Sequence, residues 1–345
     1  MQKNWKVSAI ACMIILIVPV LITFIASKIN VNKNSQVPLS GKTIVIEHGG
    51  YVAEMDMENF IPCVLMAQMP IDSPKEVLKA QSVIIRTYIL KQMGNSTSIN
   101  SKELNLPFTT YVELEDMWFR NYRMEHPGSI EGLLGNLTGL GKSTIFKQNM
   151  DYLNALIEKT SMNVLKSNGE LILPLFHEIS NGVTRSGSEL LGKEYDYLKS
   201  IKCNTDLQQE NFIGAKYITM EQLKEKLAKK DIIIYKDKKE LFSSENIDLQ
   251  DFVNLIDSSN KDQQGYLVSI KIADTKIIAE EFADALELAS TSMEISEYEK
   301  GLRITTRGVG HGFGMSLAYA GQLAKDGMGW QKILKTFYNA TISDY

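Results

Sequence analysis

The stretch ENFIPCVLMAQMPIDSPKEVLKAQSVIIRTYIL, residues 58–90, decides the fold. Its second half reads as a helix. Ser73 is a candidate N-cap, Pro74 suits the first helical position and Glu76 suits the capping-box position. Val77, Leu78, Ile84, Ile85, Tyr88 and Ile89 then recur at helical spacing. Ala80, Val83 and Leu90 widen the apolar surface beyond a single stripe, which predicts a central, largely buried helix. Gln81 and Arg86 stand out on it. They are either a polar edge of that helix or part of a site.

Outward from this helix, strand-like and helix-like segments are interleaved. TIVIEH begins a folded region near Lys42, and residues 151–166 read as a helix running into a short strand. LILPLFHEIS reads as a strand, residues 219–230 as a capped amphipathic helix and IIIYK as a strand. GYLVSIKIADTKIIAEEFADALELAS reads as strand, turn and helix. The class is therefore α+β, or mixed α/β. The expected organisation is a single domain over residues 42–345, with an insertion at about 205–265. The Gly-rich run GLLGNLTGLGKST nearly matches a phosphate-binding loop. Five residues, 136–140, separate Gly135 from Gly141 where that loop has four, so a surface loop is the better reading.

Between Lys6 and Lys28 the run VSAIACMIILIVPVLITFIAS carries no charge. At helical rise it spans about 30 Å, the thickness of a bilayer's hydrocarbon core. No clear Ala-x-Ala-like cleavage site ends it, so the expectation is an uncleaved anchor. Residues 1–27 are then a cytoplasmic stub and transmembrane helix, and 28–41 a polar linker. Lys3 and Lys6 favour a cytoplasmic N-terminus, leaving the bulk of the chain outside the cytoplasmic membrane. The net charge of −4 and the absence of a long basic run argue against nucleic acid as a partner. Of the three cysteines, Cys63 and Cys203 lie in the folded part, and the sequence leaves open whether they pair.

Three stretches carry a further signal: residues 58–90, then LPLFHEISNGVTRSGSELLG, then RGVGHGFGMSLAYAGQLAKDGMGWQKILKTFYNATI at 307–342. In order, spacing and content, with MP…EVLKAQ…RTY followed by GHGFGMS, the chain resembles the stage II sporulation protein D family. The resemblance implies a lytic transglycosylase acting on peptidoglycan glycan strands largely stripped of stem peptides. Such an enzyme protonates the glycosidic oxygen, and the sugar's own 6-hydroxyl attacks the anomeric carbon to close a 1,6-anhydro ring. One carboxyl can then suffice where ordinary glycosidases need two.

The chain departs from that family where the chemistry is most exacting. The family's acid is a Glu directly before Met-Pro, and this chain has Gln68 before Met69-Pro70. An amide can hydrogen-bond a sugar but cannot act as a proton donor at useful pH. The resemblance thus leaves open a glycan-binding or weakly cleaving protein, a surrogate acid among Asp72, Glu54 and Glu115, or a non-enzymatic scaffold in a sporulation cell-wall complex. By the same resemblance the substrate-binding candidates are Gln81, Arg86, His177, Ser180, Gly182, Gly310, His311, Gly312 and Ser316. Glu178 and Asn181 depart from the family's His-Ser-x-Ser-Gly-Gly pattern. Some relatives bind zinc near this stretch with extra Cys and His, which this chain lacks, so no metal and no cofactor are expected. Gly308, Gly310, Gly312 and Gly314 let backbone approach closely either a sugar or a packing partner, with the central helix the expected partner. Gln68, His177 and His311 are expected to face one groove.

Overall fold

The computed structural model describes residues 38–129, 140–243 and 248–345. The expected anchor and most of the linker lie outside these residues. Among the described residues no helix is long and apolar enough to cross a membrane.

Helix and strand are mixed throughout. A short sheet opens the chain, with Thr43–His48 antiparallel to Tyr51–Asp56 and parallel to Ser98–Asn100. Asp56 ends its strand and caps the next helix, Met57–Gln68, by accepting from Glu58 N at 2.9 Å. That helix is apolar almost all round and is buried accordingly. Its end is dictated by Pro70. A residue before proline is driven out of the helical region, and Met69 is extended at φ −157° and ψ 151°. Gln68 is therefore the last helical residue.

The central helix forms as expected, over Lys75–Met93, with thirteen of its residues buried. Its start differs from the sequence reading. Pro74 is the N-cap, and no side chain caps the helix, Ser73 included. Glu76 faces another element: it accepts from Trp330 N at 2.9 Å, capping the helix Trp330–Phe337 instead. Glu58 and Arg86, both wholly buried, tie the first two helices together. Arg86 Nε and Nη2 reach the two Glu58 carboxylate oxygens at 2.6 and 2.8 Å.

The packing is divided between two apolar cores. The larger gathers the helices Met57–Gln68, Lys75–Met93 and Ser101–Leu104, the helices Tyr111–Glu125 and Leu140–Glu158, and the C-terminal helices Leu317–Lys325 and Trp330–Phe337. The C-terminal strand Thr341–Asp344 returns to pair with Asn163–Ser167. The smaller core lies under a sheet of Met293–Tyr298, Gly301–Arg307 and Ile213–Thr219, with Leu223 and Leu227 of the helix Met220–Ala228 and the hairpin Ser269–Ile278. The expected insertion, 205–265, supplies only part of this second core, which runs on to Ile304. Thr219 caps its helix through a capping box with Gln222, as the sequence pattern implies.

Three local expectations change. LILPLFHEIS is not one strand: Leu171 ends the short strand Glu170–Leu171, and Phe176–His177 forms another, paired in parallel with Met315–Ser316. Two other residues of that segment bond the glycine-rich stretch through backbone: Ile179 and Val309 exchange bonds at 3.0 and 2.7 Å, and Leu175 O accepts from Met315 N at 3.2 Å. IIIYK shortens to the two-residue strand Tyr235–Lys236. Residues 132–139 of the Gly-rich run lie outside the described residues, and from Leu140 the chain is helical through Glu158.

Candidate functional site

The sharp end of the first helix places Gln68 at the wall of a cavity of about 730 Å³. The segment Met66–Asp72 forms one side. The helices Tyr111–Glu125 and Leu140–Glu158 form the others. From them come the edge of Trp118, which is only 4% exposed, the half-buried ring of Tyr122, and three primary amides, Asn121, Gln148 and Asn149. Met117, Trp118, Asn121, Tyr122 and Glu125 lie on one helical face at spacings of one, three and four, which is why one helix supplies them all.

Gln68 is half-buried, and its Oε1 accepts from Gln81 Nε2 at 2.7 Å. Gln81 is wholly buried, so it holds the Gln68 amide from behind instead of meeting a ligand. Its own Oε1 has no partner. Of the three surrogate acids, only Asp72 lines the cavity. Glu115 is paired with Lys142 at 3.4 Å, and Glu54 sits in a strand opposite Val45. The cavity's other carboxylate is Glu125, which sequence reasoning missed.

Arg86 is structural. Besides both Glu58 oxygens, it donates through Nη1 to the carbonyls of Thr160 and Asn163 at 2.8 and 3.1 Å. A bidentate guanidinium–carboxylate pair with no exposure has no donor pointed at a ligand.

His177 and His311 come together, with ring centroids 5.9 Å apart, but neither lines the cavity beside Gln68. His177 Nδ1 donates to Phe313 O at 3.0 Å, which leaves Nε2 an acceptor, buried and without a partner. Burial, reinforced by His311, pushes its pKa down to about 3. His311 Nδ1 accepts from Phe313 N at 3.0 Å, and burial beside the Arg185 guanidinium pushes its pKa down to about 4. Both rings are neutral at physiological pH. Arg185 sits where the two cores meet. It pairs with Asp262 and Glu280, each at 2.7 Å, and stacks on Phe313 and Tyr266.

The glycines of the turn are explained by these neighbours and not by the central helix. A Cβ on Gly310 would lie 2.7 Å from His177 Cβ, and one on Gly312 would lie 2.6 Å from the Tyr266 ring. Ser180, Gly182 and Ser316 form a third group, around buried Asp206. Ser180 Oγ and Ser316 Oγ donate to Asp206 Oδ2 at 2.6 and 2.7 Å, and Gly182 N donates to Ser180 Oγ at 3.2 Å. Burial lifts the Asp206 carboxyl above the usual range, against the pull of those hydroxyls. Ser316 also caps the helix that follows it.

Cys63 and Cys203 are separate, buried free thiols, each pushed up to about 12 by burial. Among the described residues no group of three or more His, Cys, Asp or Glu side chains is placed to hold a metal ion. The cavity's aromatic and amide lining fell in residues 94–150, the part of the sequence hardest to read. One signal was present there: Thr110 and Glu113 form a capping box, Thr-x-x-Glu, that announces the helix carrying Trp118 and Glu125.

Comparison with known proteins agrees with the motif reading. The family model described as stage II sporulation protein matches residues 47–165, which include Gln68, Gln81 and Arg86. Stage II sporulation protein D of Bacillus subtilis (strain 168) is 24% identical over 291 residues, covering 84% of this chain and 75% of that protein. Its counterpart in Bacillus amyloliquefaciens is 22% identical over 287 residues, covering 83% and 74%. An uncharacterized protein of Brachyspira hyodysenteriae is 24% identical over 301 residues, covering 85% and 68%. Residues 47–165 thus match the stage II sporulation protein family, and over most of its length the chain resembles stage II sporulation protein D.

Proposed function

We propose that this protein binds the glycan strands of peptidoglycan in a sporulation-related cell-wall process, with its cleaving activity weakened or lost. The observation that carries this reading is Gln68 itself. It stands at the position of the family's acid, on the wall of a cavity of about 730 Å³ whose lining of aromatic rings and amides suits sugar rings and their acetamido groups. Its amide offers hydrogen bonds but no acid proton. General acid catalysis typically contributes about 10²–10⁴-fold, so binding outlasts its loss while cleavage does not. The run between Lys6 and Lys28 anchors the protein by a single span, with the bulk of the chain outside the cytoplasmic membrane, beside other cell-wall proteins. A sedimentation assay with purified strands stripped of stem peptides, followed by mass analysis of their ends, tests this. The protein sediments with the strands and releases little or no 1,6-anhydro product. Efficient release would overturn the weakened-enzyme reading, and no sedimentation would overturn glycan binding.

A further inference from the structure

The three-stranded sheet over the smaller core has one face packed and one open. In its strand Ile213–Thr219 the apolar side chains point the wrong way for that arrangement. Gly214, Lys216 and Ile218 lie on the core side, with the Lys216 ammonium reaching out to Leu286 O and Glu287 at 2.7 and 3.0 Å. Ile213, Ala215 and Tyr217 face outward. An antiparallel sheet packed on one side ordinarily keeps its solvent face polar. Tyr217 meets Tyr298 on that face, with ring centroids 4.9 Å apart and planes inclined at 49°. Gly301, in register with both Tyr298 and Thr219, has no side chain to keep the rings apart. Packing of one ring on the other accounts for their contact but not for their exposure: Tyr217 is 54% exposed and Tyr298 44%. Arg303 stands between Tyr217 and Ser296, in register with both. It is exposed, and among the described residues no carboxylate pairs with it, whereas Arg307 on the same face is bonded to Glu294 at 2.9 Å.

From this we infer that the open sheet face is a second contact for the glycan strand, where pyranose rings lie on Tyr217 and Tyr298 and a lactyl carboxylate meets Arg303. The inference rests on the glycan reading above and deepens it. A pyranose presents a face of C–H groups, and tyrosine offers a flat apolar body with a polar tip at small conformational cost. Muramic acid units freed of their peptides carry a carboxylate, the group that a guanidinium's planar fork of donors matches. The sign of the charge favours this occupant: on a chain of net charge −4, the face sets Arg303 and Arg307 against the single carboxylate of Glu294. At the hairpin tip beyond Tyr298, the charges of Glu299 and Lys300 offset each other. None of these residues lines the cavity beside Gln68. A long strand that reaches both places is held by two contacts, the second made at high effective concentration, while a short oligosaccharide makes one.

The test uses the full-length protein and two probes cut from peptide-free strands: a three-sugar fragment, and strands of roughly forty sugars, long enough to reach a second contact. The double variant Tyr217→Ala/Tyr298→Ala loses about 10-fold or more in affinity for the long strands and stays within about twofold of the parent for the fragment. Arg303→Gln weakens long-strand binding about 3–10-fold at low ionic strength. That loss narrows as salt is added, and it vanishes with strands whose lactyl carboxylates have been reduced to alcohols. Should the tyrosine variant fail to fold, the Arg303→Gln series alone decides. Variants that bind long strands as tightly as the parent overturn the inference while glycan binding stands. So does an Arg303→Gln loss that persists with the reduced strands. A parent that sediments as a dimer, with a monomeric tyrosine variant of unchanged strand affinity, makes the face an interface between copies and overturns the inference as well. If the parent binds neither probe, the glycan reading fails and the inference falls with it.

Discussion

Gln81 Nε2 donates to Gln68 Oε1 at 2.7 Å, so the Gln68 amide is held by a second amide buried behind it. The two lie on neighbouring helices that meet across the turn Met69–Pro74, and the bond fixes which way Gln68 faces the cavity.

That bond sets the first expectation. Gln68→Glu introduces a carboxyl that accepts from the same donor. Release of anhydro-ended product rises about 10²-fold or more if the rest of the site is intact. A donor from Gln81 favours the charged form of the new carboxyl, so the gain is larger at acidic pH than at neutral pH. Removing the donor with Gln81→Leu in that background moves the limb of the pH–rate profile to higher pH. The profiles of the two variants check this directly.

Arg86 and Glu58 give a stability expectation. Arg86→Met leaves Glu58 as an uncompensated buried carboxylate and costs about 3–5 kcal/mol. The double variant Glu58→Leu/Arg86→Met recovers much of that loss, because neither charge is then stranded. Urea unfolding of the three proteins measures it. A single variant as stable as the parent would mean that Arg86 is free to serve a ligand.

The glycine-rich turn allows a contrast within one region. Gly314 has φ +69°, and a Cβ there would meet Leu175 O at 1.8 Å. Gly314→Ala therefore lowers the melting temperature strongly or prevents folding. Gly321 lies in the helix Leu317–Lys325 with nothing within 4 Å of an added Cβ. Gly321→Ala is neutral or stabilising by about 0.5–1 kcal/mol, since alanine is the better helix former.

His177 and His311 make stability depend on pH in one direction. Their pKa values in the folded chain, about 3 and about 4, lie below the unfolded value of 6.5. Between those limits the unfolded chain binds protons that the folded chain refuses, so stability rises with pH across that window. It is complete above pH 6.5 and is lost progressively as the pH falls. Asp206, raised by burial, works the other way: its contribution is present at acidic pH and is lost as the pH rises through its folded value. Unfolding free energies between pH 4 and 7 carry the slope, and His177→Gln makes it shallower while leaving the Asp206 contribution in place.

Much of the architecture was legible from residue order alone, because it rests on local rules. Helical periodicity from Val77 to Leu90 marked the central helix. Thr219 and Gln222 announced their cap, and the spacing of glycines from 308 to 314 marked a close backbone approach. The departure at Gln68 was likewise visible, since it is a matter of which atoms a side chain carries. What the glycines pack against was not visible. His177 and Tyr266 stand more than forty residues away in sequence, and no periodicity links them.

The tertiary structure decided the rest, for a common physical reason: burial and pairing are settled through space. Arg86 reads equally well as a ligand-binding residue until Glu58, Thr160 and Asn163 are seen to take four of its five donors in a fully buried site. His177 and His311 share a motif-based expectation with Gln68, yet a buried seam between two cores gave them each other, and helices 111–125 and 140–158 gave Gln68 its cavity. The sequence by itself determined that residue 68, directly before Met69-Pro70, carries an amide and no acid proton. Only the packing of helices from distant parts of the chain decided that Glu125 lines the same cavity.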